Sequence, residues 1–304
     1  MGTILVIGAG FMGSGISQVC AQAGWTVHLM DIDKDALKKA TEQIRWSLKR
    51  LFSKGRLTEP VDLILQRIQT QDHIRGVDNP GWVIEAATER EELKHRIFGE
   101  LDNMYGPDIP LASNTSTIPI SRLAEPLKHP QRVLGLHFFG PVPLMGLVEV
   151  VKGAKTLPTL FDAAIEFVKS LGKTPLPVRQ DIPGFVVNRV FAAAFREALE
   201  LVHRGVATPE EVDIGLKLGY GWVAGPFEVA DNAGIDTFLL VGESMEKLGE
   251  PHLAARSEIL RNLVTKGEVG RKAGKGFYEY GPDGTKVPRP LFNPGFHGSS
   301  RQKP

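Results

Sequence analysis

The sequence predicts an α/β fold in which a doubly wound, largely parallel sheet with a helical insertion is followed by an all-α domain. Three observations lead to this prediction. Strand-like and helical segments alternate over residues 1–178, a glycine-rich turn joins the first strand to the first helix, and helical patterns follow one another after residue 182. At 304 residues the chain is long enough for two domains, which we place at residues 1–182 and 183–304.

The first elements form a βαβ unit. An apolar run at residues 3–7 ends at Gly8, a helical pattern covers residues 12–23, and a second apolar strand covers residues 26–30. Residues 34–67 carry no strand signal, and their apolar side chains repeat with the spacing of one face of a helix. This stretch therefore predicts a helical insertion.

The remaining strands of the sheet are predicted by further apolar runs, at residues 82–86, 109–113, 133–136, 147–151 and 174–178. At the turn formed by residues 181–184, the pattern changes from alternating strands and helices to successive helices. A strongly helical pattern begins at Phe185, and Thr208 followed by Pro209 is typical of a helix start. Residues 282–304 are rich in proline and glycine, which predicts an extended or mobile tail.

Composition excludes several classes of protein. Lys plus Arg (36) and Asp plus Glu (35) nearly balance, which is not the composition of a protein that binds nucleic acid or an anionic membrane. No apolar run is long enough to span a membrane, and residues 1–8 lack the features of a signal peptide. The single cysteine, Cys20, has no partner for a disulfide, and no Cys/His cluster has metal-ligand spacing. We therefore expect a cytoplasmic protein without a metal.

The sequence GAGFMG at residues 8–13 follows a strand and opens a helix, which is the setting of a dinucleotide-binding turn in a Rossmann-type domain. In this setting Gly8 permits a tight turn, Gly10 lets the backbone approach a pyrophosphate, and Gly13 allows close packing of helix on strand. Asp31 ends the second strand, where a carboxylate accepts hydrogen bonds from ribose hydroxyls and repels a 2′-phosphate. The motif predicts NAD rather than NADP; the alternative is a glycine-rich turn that binds nothing.

Two polar residues are candidates for the chemistry. His137 follows the apolar run at residues 133–136, so we expect it at the carboxyl end of a strand, where doubly wound folds bind ligands. Glu149 lies in the otherwise apolar sequence LVEVV, and a buried carboxylate is costly unless it is paired, for which a histidine is suitable. The alternative is that Glu149 faces solvent on an edge strand and that His137 only caps a turn.

Two further polar residues lie where a substrate could meet a nicotinamide ring. Ser116 belongs to the sequence NTST at residues 114–117, directly after a predicted strand. Asn188 lies in the first turn of the first helix of the second domain. The alternative is that both are ordinary turn or cap residues, because serine and asparagine are common in those positions.

Taken together, these motifs resemble the L-3-hydroxyacyl-CoA dehydrogenase family, also called 3-hydroxybutyryl-CoA dehydrogenases. The resemblance runs from about residue 3 to residue 280. It rests on GAGFMG at 8–13, SNTS at 113–116, HFFGPVP at 137–143, LVEV at 147–150, PGFVVNR at 183–189, GPFE at 225–228 and GKGFY at 274–278. Matches in that order over two domains are far more specific than the glycine motif alone.

The resemblance implies a role for each matching residue. His137 is similar to the family's catalytic base and Glu149 to the acid that pairs with it. Ser116 and Asn188 match residues beside the substrate's 3-oxygen, and Ser47 and Lys54 match contacts to coenzyme A. The positions that match the family's cofactor-binding residues are Gly8, Gly10, Phe11, Met12, Gly13, Asp31, Glu89, Lys94, Ser116 and Lys272. The family also implies a homodimer built by the all-α domain.

The reaction implied is the reversible, NAD-dependent oxidation of a 3-hydroxyacyl-CoA to the 3-ketoacyl-CoA. Two alternatives stay open on the same fold: a dehydrogenase of a free 3-hydroxy acid or sugar acid, and a non-catalytic NAD-binding protein. The sequence departs from the family at two places. Gly140 stands where the family usually has Asn, and Tyr220 and Trp222 replace a small-residue and proline run, which implies an acyl pocket of altered shape.

Overall fold

The structure, a computed structural model, describes residues 2–255 and 257–290. The chain divides into two compact units, Met1–Phe185 and Val186–Pro304. The division falls after Phe185, whereas the turn at residues 181–184 predicts it after residue 182. Residues 291–304, which belong to the predicted second domain and tail, lie outside the described residues.

The first unit is built on one eight-stranded sheet. Its strands are β1 (Thr3–Ile7), β2 (Thr26–Met30), β3 (Ile68–Gln71), β4 (Trp82–Glu85), β5 (Leu111–Ser113), β6 (Val133–Phe138), β7 (Leu147–Val151) and β8 (Thr174–Val178). They lie in the order β3-β2-β1-β4-β5-β6-β7-β8, and all neighbours are parallel except β6 and β7. The predicted doubly wound, largely parallel sheet is confirmed. The edge strand β3 was not predicted, because its sequence IQTQ contains no apolar run.

Helices connect the strands of this sheet. They are α1 (Phe11–Gln22), α2 (Lys34–Ser53), α3 (Val61–Gln66), α4 (Glu91–Met104), α5 (Ile120–Ala124) and α6 (Pro158–Ser170). Helices α2 and α3 form the predicted insertion. Asp33 caps α2 by accepting a hydrogen bond from the Asp35 N–H at 2.9 Å. The apolar face of α2 is buried and carries Leu37, Ala40, Ile44, Leu48 and Leu51.

The core of the first unit lies on both faces of the sheet. Ile4 and Val6 of β1 pack in one apolar cluster with Ile16 of α1. Leu5 of the same strand points the other way and packs in a second cluster with Phe98 of α4. Because successive side chains of a strand point to opposite faces, β1 is apolar throughout and is buried on both sides.

The second unit is mainly helical, as predicted. Its helices are α7 (Val187–His203), α8 (Pro209–Tyr220), α9 (Pro226–Ala233), α10 (Ile235–Lys247) and α11 (Glu258–Thr265). An antiparallel hairpin of β9 (Tyr278–Tyr280) and β10 (Lys286–Pro288) was not part of the all-α prediction. The hairpin also corrects the tail prediction, since Arg289 is buried and its guanidinium lies 2.9 Å from the Glu268 carboxylate.

Two buried aspartates join this hairpin to the helices. Asp231 of α9 accepts hydrogen bonds from the N–H groups of Phe277 and Tyr278, at 2.9 and 3.0 Å. Asp213 of α8 accepts from the Phe227 N–H at 2.9 Å and from the Tyr278 hydroxyl at 2.6 Å. Burial raises the pKa of both carboxyls, and these hydrogen bonds oppose that rise. Because both carboxylates bond residues distant in sequence, they fix the tertiary structure of this unit.

Candidate active site

The glycine turn between β1 and α1 is closely packed at two positions and open at the third. Gly8 has a positive φ of 101°, and a Cβ there would lie 2.6 Å from the carbonyl oxygen of Ala86. A Cβ at Gly13 would lie 1.8 Å from the carbonyl oxygen of Gly8. A Cβ at Gly10 would meet no protein atom within 4 Å. Packing therefore requires glycine at positions 8 and 13, whereas Gly10 borders open space that a ligand can enter.

Asp31 is held beside this turn. One of its carboxylate oxygens accepts a hydrogen bond from the Ala9 N–H at 2.7 Å, and the other accepts from the Asp33 N–H at 3.0 Å. The carboxylate is thus fixed at the carboxyl end of β2, next to the backbone of the glycine turn.

His137 and Glu149 lie opposite each other on the antiparallel strands β6 and β7. The His137 Nδ1 lies 2.7 Å from the Glu149 Oε2. Only 6% of His137 and 0% of Glu149 is exposed, so the alternative in which Glu149 faces solvent is wrong. His137 is the fifth residue of β6 and lies inside the strand rather than after it, which also excludes a role as a turn cap.

Aromatic rings and an asparagine hold the end of β6. The His137 ring lies 4.5 Å from the Phe139 ring and 5.7 Å from the Phe185 ring, measured between centroids. The side-chain oxygen of Asn114, which follows β5, accepts a hydrogen bond from the Phe138 N–H at 2.9 Å. Asn114 therefore ties the ends of two neighbouring strands together next to the histidine.

Glu89 organises the turn that contains Ser116. Its Oε1 accepts hydrogen bonds from the Thr115 hydroxyl at 2.6 Å and from the N–H groups of Ser116 and Thr117 at 2.9 and 3.2 Å. Burial of Glu89 favours the neutral acid, but the Lys94 ammonium and the Thr115 hydroxyl outweigh it and lower the pKa of the Glu89 carboxyl. The Ser116 hydroxyl is thereby kept at the edge of the sheet.

Lys94 is buried in a network below this turn. Its ammonium lies 2.6 Å from Glu85 Oε1 and 3.2 Å from Glu89 Oε2. Glu85 is also buried and accepts a hydrogen bond from the Ser113 hydroxyl at 2.6 Å. The charge of the buried Lys94 ammonium is balanced by the carboxylates of Glu85 and Glu89. Lys94 therefore helps to position the Glu89 carboxylate.

A cavity of about 400 Å³ lies between α1, α2 and the segment that follows β6. We call it the α2 cavity; its lining includes Phe11, Trp46, Ser47, Arg50, Lys54, Arg56 and residues 141–144. Ser47 and Lys54, which the family resemblance singled out, are thus brought together on one wall. Trp46, Arg50 and Arg56 were not predicted, because exposed residues on an amphipathic helix and in the turn after it carry no local signal of a cavity.

Phe11 occupies the space beside Gly140. A Cβ at Gly140 would lie 2.6 Å from the Phe11 Cε1. The backbone at Gly140 is outside the left-handed region, so packing and not backbone conformation favours glycine there. A side chain at position 140, where the family resemblance expects Asn, would therefore meet the Phe11 ring.

The other predicted site residues belong to the second unit. Asn188 is the second residue of α7. Lys272 lies in a short 3₁₀ turn, and its ammonium is 2.7 Å from both carboxylate oxygens of Asp236. Tyr220 ends α8 with an exposed side chain, and Trp222 is half-buried.

Within residues 2–255 and 257–290, no three His, Cys, Asp or Glu side chains gather as metal ligands. The same residues include no helix with the length and apolar character needed to span a bilayer. Cys20 is buried in the core, and burial raises the pKa of its thiol to about 12, so it is not a reactive nucleophile.

Comparison with known proteins decides the family. Residues 3–182 match the family model for the 3-hydroxyacyl-CoA dehydrogenase NAD binding domain, and residues 184–280 match the model for the C-terminal domain of the same enzymes. The chain belongs to the 3-hydroxyacyl-CoA dehydrogenase family. The predicted fold and family are confirmed, and NAD is the cofactor of the matched domain.

Relatives of this 3-hydroxyacyl-CoA dehydrogenase family member match over nearly their whole length. A probable 3-hydroxybutyryl-CoA dehydrogenase of Deinococcus radiodurans is 41% identical over 90% of this chain and 99% of its own. The mitochondrial hydroxyacyl-coenzyme A dehydrogenase of Rattus norvegicus is 39% identical over 91% and 90%. Among solved structures, M. tuberculosis FadB2 has a TM-score of 0.86 at 38% identity, covering 91% of this chain and 98% of its own. The (S)-3-hydroxybutyryl-CoA dehydrogenase PaaH1 of Ralstonia eutropha has a TM-score of 0.85 at 39% identity, covering 92% and 99%.

The glycine turn fits the NAD that the family model names. No side chain caps the N-terminus of α1, and its first turn contains no acidic residue, so its N–H groups and the positive end of the helix dipole are available to a pyrophosphate. Gly10 leaves room for that group, and the Asp31 carboxylate beside the turn can accept hydrogen bonds of the kind that ribose hydroxyls donate.

Proposed function

We propose that this chain catalyses the reversible oxidation of a 3-hydroxyacyl-CoA to the 3-ketoacyl-CoA, with transfer of the C3 hydride to NAD⁺. The observation that carries this proposal is the buried His137–Glu149 pair, with 2.7 Å between Nδ1 and Oε2, in a chain of this family. When bound, NAD⁺ supplies the acceptor for the hydride.

His137 acts as the general base in this proposal. An ionised carboxylate only accepts hydrogen bonds, so Glu149 fixes the ring proton on Nδ1 and leaves the lone pair on Nε2. Nε2 then takes the proton of the substrate's 3-hydroxyl as the hydride leaves C3. Glu149 stabilises the imidazolium that forms, and in the reverse direction His137 returns the proton to the oxygen.

Ser116 and Asn188 hold the substrate's 3-oxygen in the proposed reaction. The support for Ser116 is its hydroxyl at the carboxyl edge of the sheet, in the turn that Glu89 fixes. The support for Asn188 is its place in the family motif PGFVVNR. Such positioning accelerates the reaction because hydride transfer then starts from a near-attack geometry.

The proposed cofactor contacts divide into two groups. Gly8, Gly10, Phe11, Met12, Gly13 and Asp31 surround the α1 N-terminus and bind the dinucleotide there. Glu89, Ser116 and Lys272 are proposed to contact the nicotinamide half, which follows from the family resemblance. Lys94, buried at 2.6 Å from Glu85, supports this group by holding the Glu89 carboxylate.

The α2 cavity favours a CoA thioester over a free hydroxy acid. Ser47 and Lys54 line it together with the cations Arg50 and Arg56. A free 3-hydroxy acid offers no phosphates for such a wall, whereas CoA does.

The test is consumption of NADH with a panel of 3-ketoacyl-CoA thioesters, beginning with acetoacetyl-CoA. We expect turnover with at least one short, long or cyclic acyl chain, and a lower KM for a thioester than for its free acid. Binding of NADH without turnover of any thioester would contradict the proposal and favour a non-catalytic NAD-binding protein.

We further propose a homodimer formed by the second unit. Its surface carries exposed apolar side chains, among them Val190, Leu218, Tyr220, Val223 and Leu240. A surface of this kind is typical of an interface between subunits. Light scattering should give twice the mass of 33.3 kDa, and Leu218→Glu should reduce it to that of a monomer.

We also infer a reducing, cytoplasmic location. The one cysteine, Cys20, is buried in the core of the first unit. A chain that uses no disulfide is typical of a reducing compartment. Localisation of a tagged full-length chain in cells tests this inference.

A further inference from the structure

The wall of the α2 cavity carries an exposed aromatic side chain that the family motifs do not include. Trp46 lies on α2 beside Ser47, with 61% of its surface exposed. The guanidinium carbon of Arg50 lies 5.2 Å from the centroid of the Trp46 ring. This contact orients the indole on the helix surface, since a guanidinium is attracted to the face of an aromatic ring.

The charges on this wall have one sign. Arg50, Lys54 and Arg56 line the cavity, and no Asp or Glu does so within the described residues. In that part of the chain the structure records no ion pair for these three cations, whereas the nearby Arg45 is paired with Asp62. Basic side chains without carboxylate partners next to an aromatic ring form a site for an anionic ligand.

The wall of the cavity outside α2 is mostly apolar. Phe11 and Gly15 of α1 and residues 141–144, whose sequence is PVPL, form most of it, and Ser14 and Gln18 of α1 are its polar residues. Lys173 holds residues 141–145 in place, because its ammonium donates hydrogen bonds to the carbonyl oxygens of Val142 and Met145 at 2.8 and 2.7 Å. A ligand that matches both walls has a slender uncharged arm and a head that combines a flat heteroaromatic ring with phosphates.

We propose that Trp46 is the platform on which the adenine ring of CoA stacks and that Arg50 and Arg56 bind the phosphates of the same nucleotide. This inference rests on the proposed function, because it concerns the carrier half of the same thioester substrate. Trp46 and Arg50 then determine preference for CoA over shorter pantetheine thioesters. Stacking is the same before and during hydride transfer, so it changes KM and leaves kcat unchanged.

Steady-state kinetics with two thioesters tests the assignment. Trp46→Ala should raise KM about 10-fold for acetoacetyl-CoA, the factor expected for the loss of one base–aromatic stack, at unchanged kcat. The KM for acetoacetyl-pantetheine, which lacks the nucleotide, should not change. Trp46→Phe should keep most of the affinity. The matched control is Phe52→Ala, since Phe52 lies on the same helix, is 49% exposed and is not among the residues that line the cavity.

The cations are tested in the same way. Arg50→Ala should raise KM for acetoacetyl-CoA and weaken its dependence on salt concentration, because fewer charges then bind the phosphates. Lys49→Ala removes an equal charge from the neighbouring position of α2, outside the cavity lining, and should have no such effect.

Calorimetric titration with free CoA gives a readout that does not depend on turnover. The dissociation constant should rise about 10-fold in Trp46→Ala. Equal affinity of wild type and variant for CoA, or an equal loss with both thioesters, would overturn the assignment of Trp46. Failure of the proposed function has a different signature: no 3-ketoacyl-CoA is reduced, while the variants still change the affinity for CoA.

Discussion

His137 and Glu149 face each other across two antiparallel strands, with 2.7 Å between the ring Nδ1 and the carboxylate Oε2. Both side chains are buried, so little water competes for this hydrogen bond. The strand register, rather than a flexible loop, therefore sets the tautomer and the orientation of the ring.

Removing the imidazole should abolish proton transfer with little effect on cofactor binding. His137→Gln is expected to lower kcat by about 10²–10⁴-fold, the usual contribution of a general base, because Gln cannot accept a proton at neutral pH. The dissociation constant for NADH, measured by fluorescence titration, should stay close to that of wild type. Turnover at the wild-type rate would rule out His137 as the base.

Removing the charge of the partner should change the pH dependence. In Glu149→Gln the imidazolium loses its anionic partner, so kcat for oxidation should fall and its pH profile should move to lower pH. The control is Glu166→Gln, which removes an exposed carboxylate that pairs only with Lys169 in the described residues. A lower kcat with an unshifted profile would indicate that Glu149 only supports the fold.

The buried ammonium of Lys94 should be essential to the stability of the first unit. Lys94→Met leaves the buried carboxylate of Glu85 without its cation, which costs about 3–5 kcal/mol for a buried ion pair. The double variant Glu85→Gln with Lys94→Met should recover part of that loss, since the fully buried carboxylate is then removed together with its cation and only the partly exposed Glu89 has lost a partner. Urea unfolding of wild type, the single variants Lys94→Met and Glu85→Gln, and the double variant measures the coupling energy between Glu85 and Lys94.

The matched control for Lys94 is Lys34→Met. Lys34 forms an exposed ion pair with Asp72 at 3.0 Å, and such pairs contribute about 0–1 kcal/mol. If the double variant were no more stable than Lys94→Met alone, the charge imbalance would not be the cause of the loss.

Local sequence signals predicted the residues of the glycine turn and gave a buried, paired carboxylate at position 149 as one of two alternatives. The turn is local because Gly8 and Gly13 belong to one strand-turn-helix unit. Pairing of Glu149 was expected from the cost of a buried charge, but the register opposite His137 depends on the antiparallel direction of β7, which the sequence does not encode locally.

Other features depend on contacts between distant segments and had no sequence signal. The α2 cavity joins α2 to residues 141–144, and the contact of Phe11 with Gly140 joins the start of α1 to the segment after β6. The hairpin of the second unit is attached to α9 by the hydrogen bonds that Asp231 accepts from the backbone of Phe277 and Tyr278. Propensity and periodicity describe single elements, so they cannot predict these contacts.

The contact between Phe11 and Gly140 should couple substitutions at the two positions. Gly140→Ala places a methyl group 2.6 Å from the Phe11 ring, which must then move. We expect a loss of only about 0.5–1 kcal/mol of stability, because Phe11 is 55% exposed and its ring can turn aside, and a higher KM for acetoacetyl-CoA because Phe11 lines the α2 cavity.

The double variant Phe11→Ala with Gly140→Ala tests this coupling. The smaller side chain at position 11 makes room for the new methyl group, so the second substitution should cost less in this background than in wild type. Thermal unfolding of wild type, the two single variants and the double variant gives the coupling energy. If the losses of stability in the two single variants add up to that of the double variant, the Phe11 ring moves away from the new methyl group without cost.

The carboxyl of Glu228 makes the stability of the second unit depend on pH in the acid range. Burial opposes its ionisation, but the ammonium groups of Lys217 and Lys286 and the Gly225 N–H lower the pKa of its carboxyl from 4.5 to about 2. Because the folded state binds this proton more weakly than the unfolded state, these interactions stabilise the fold fully above about pH 4.5. The contribution is lost as the pH falls from there towards about 2.

Glu228→Gln should therefore destabilise the protein at pH 7 and have a smaller effect at pH 3. Hydrogen bonds to charged groups contribute about 1.5–3 kcal/mol each, and each kcal/mol lost lowers Tm by about 2–4 °C in a chain of this size. Scanning calorimetry at both pH values measures the difference between variant and wild type, with Glu166→Gln as an exposed carboxylate control. A Tm difference that stays constant from pH 7 to pH 3 would mean that Glu228 stabilises the unit through packing and not through its charge.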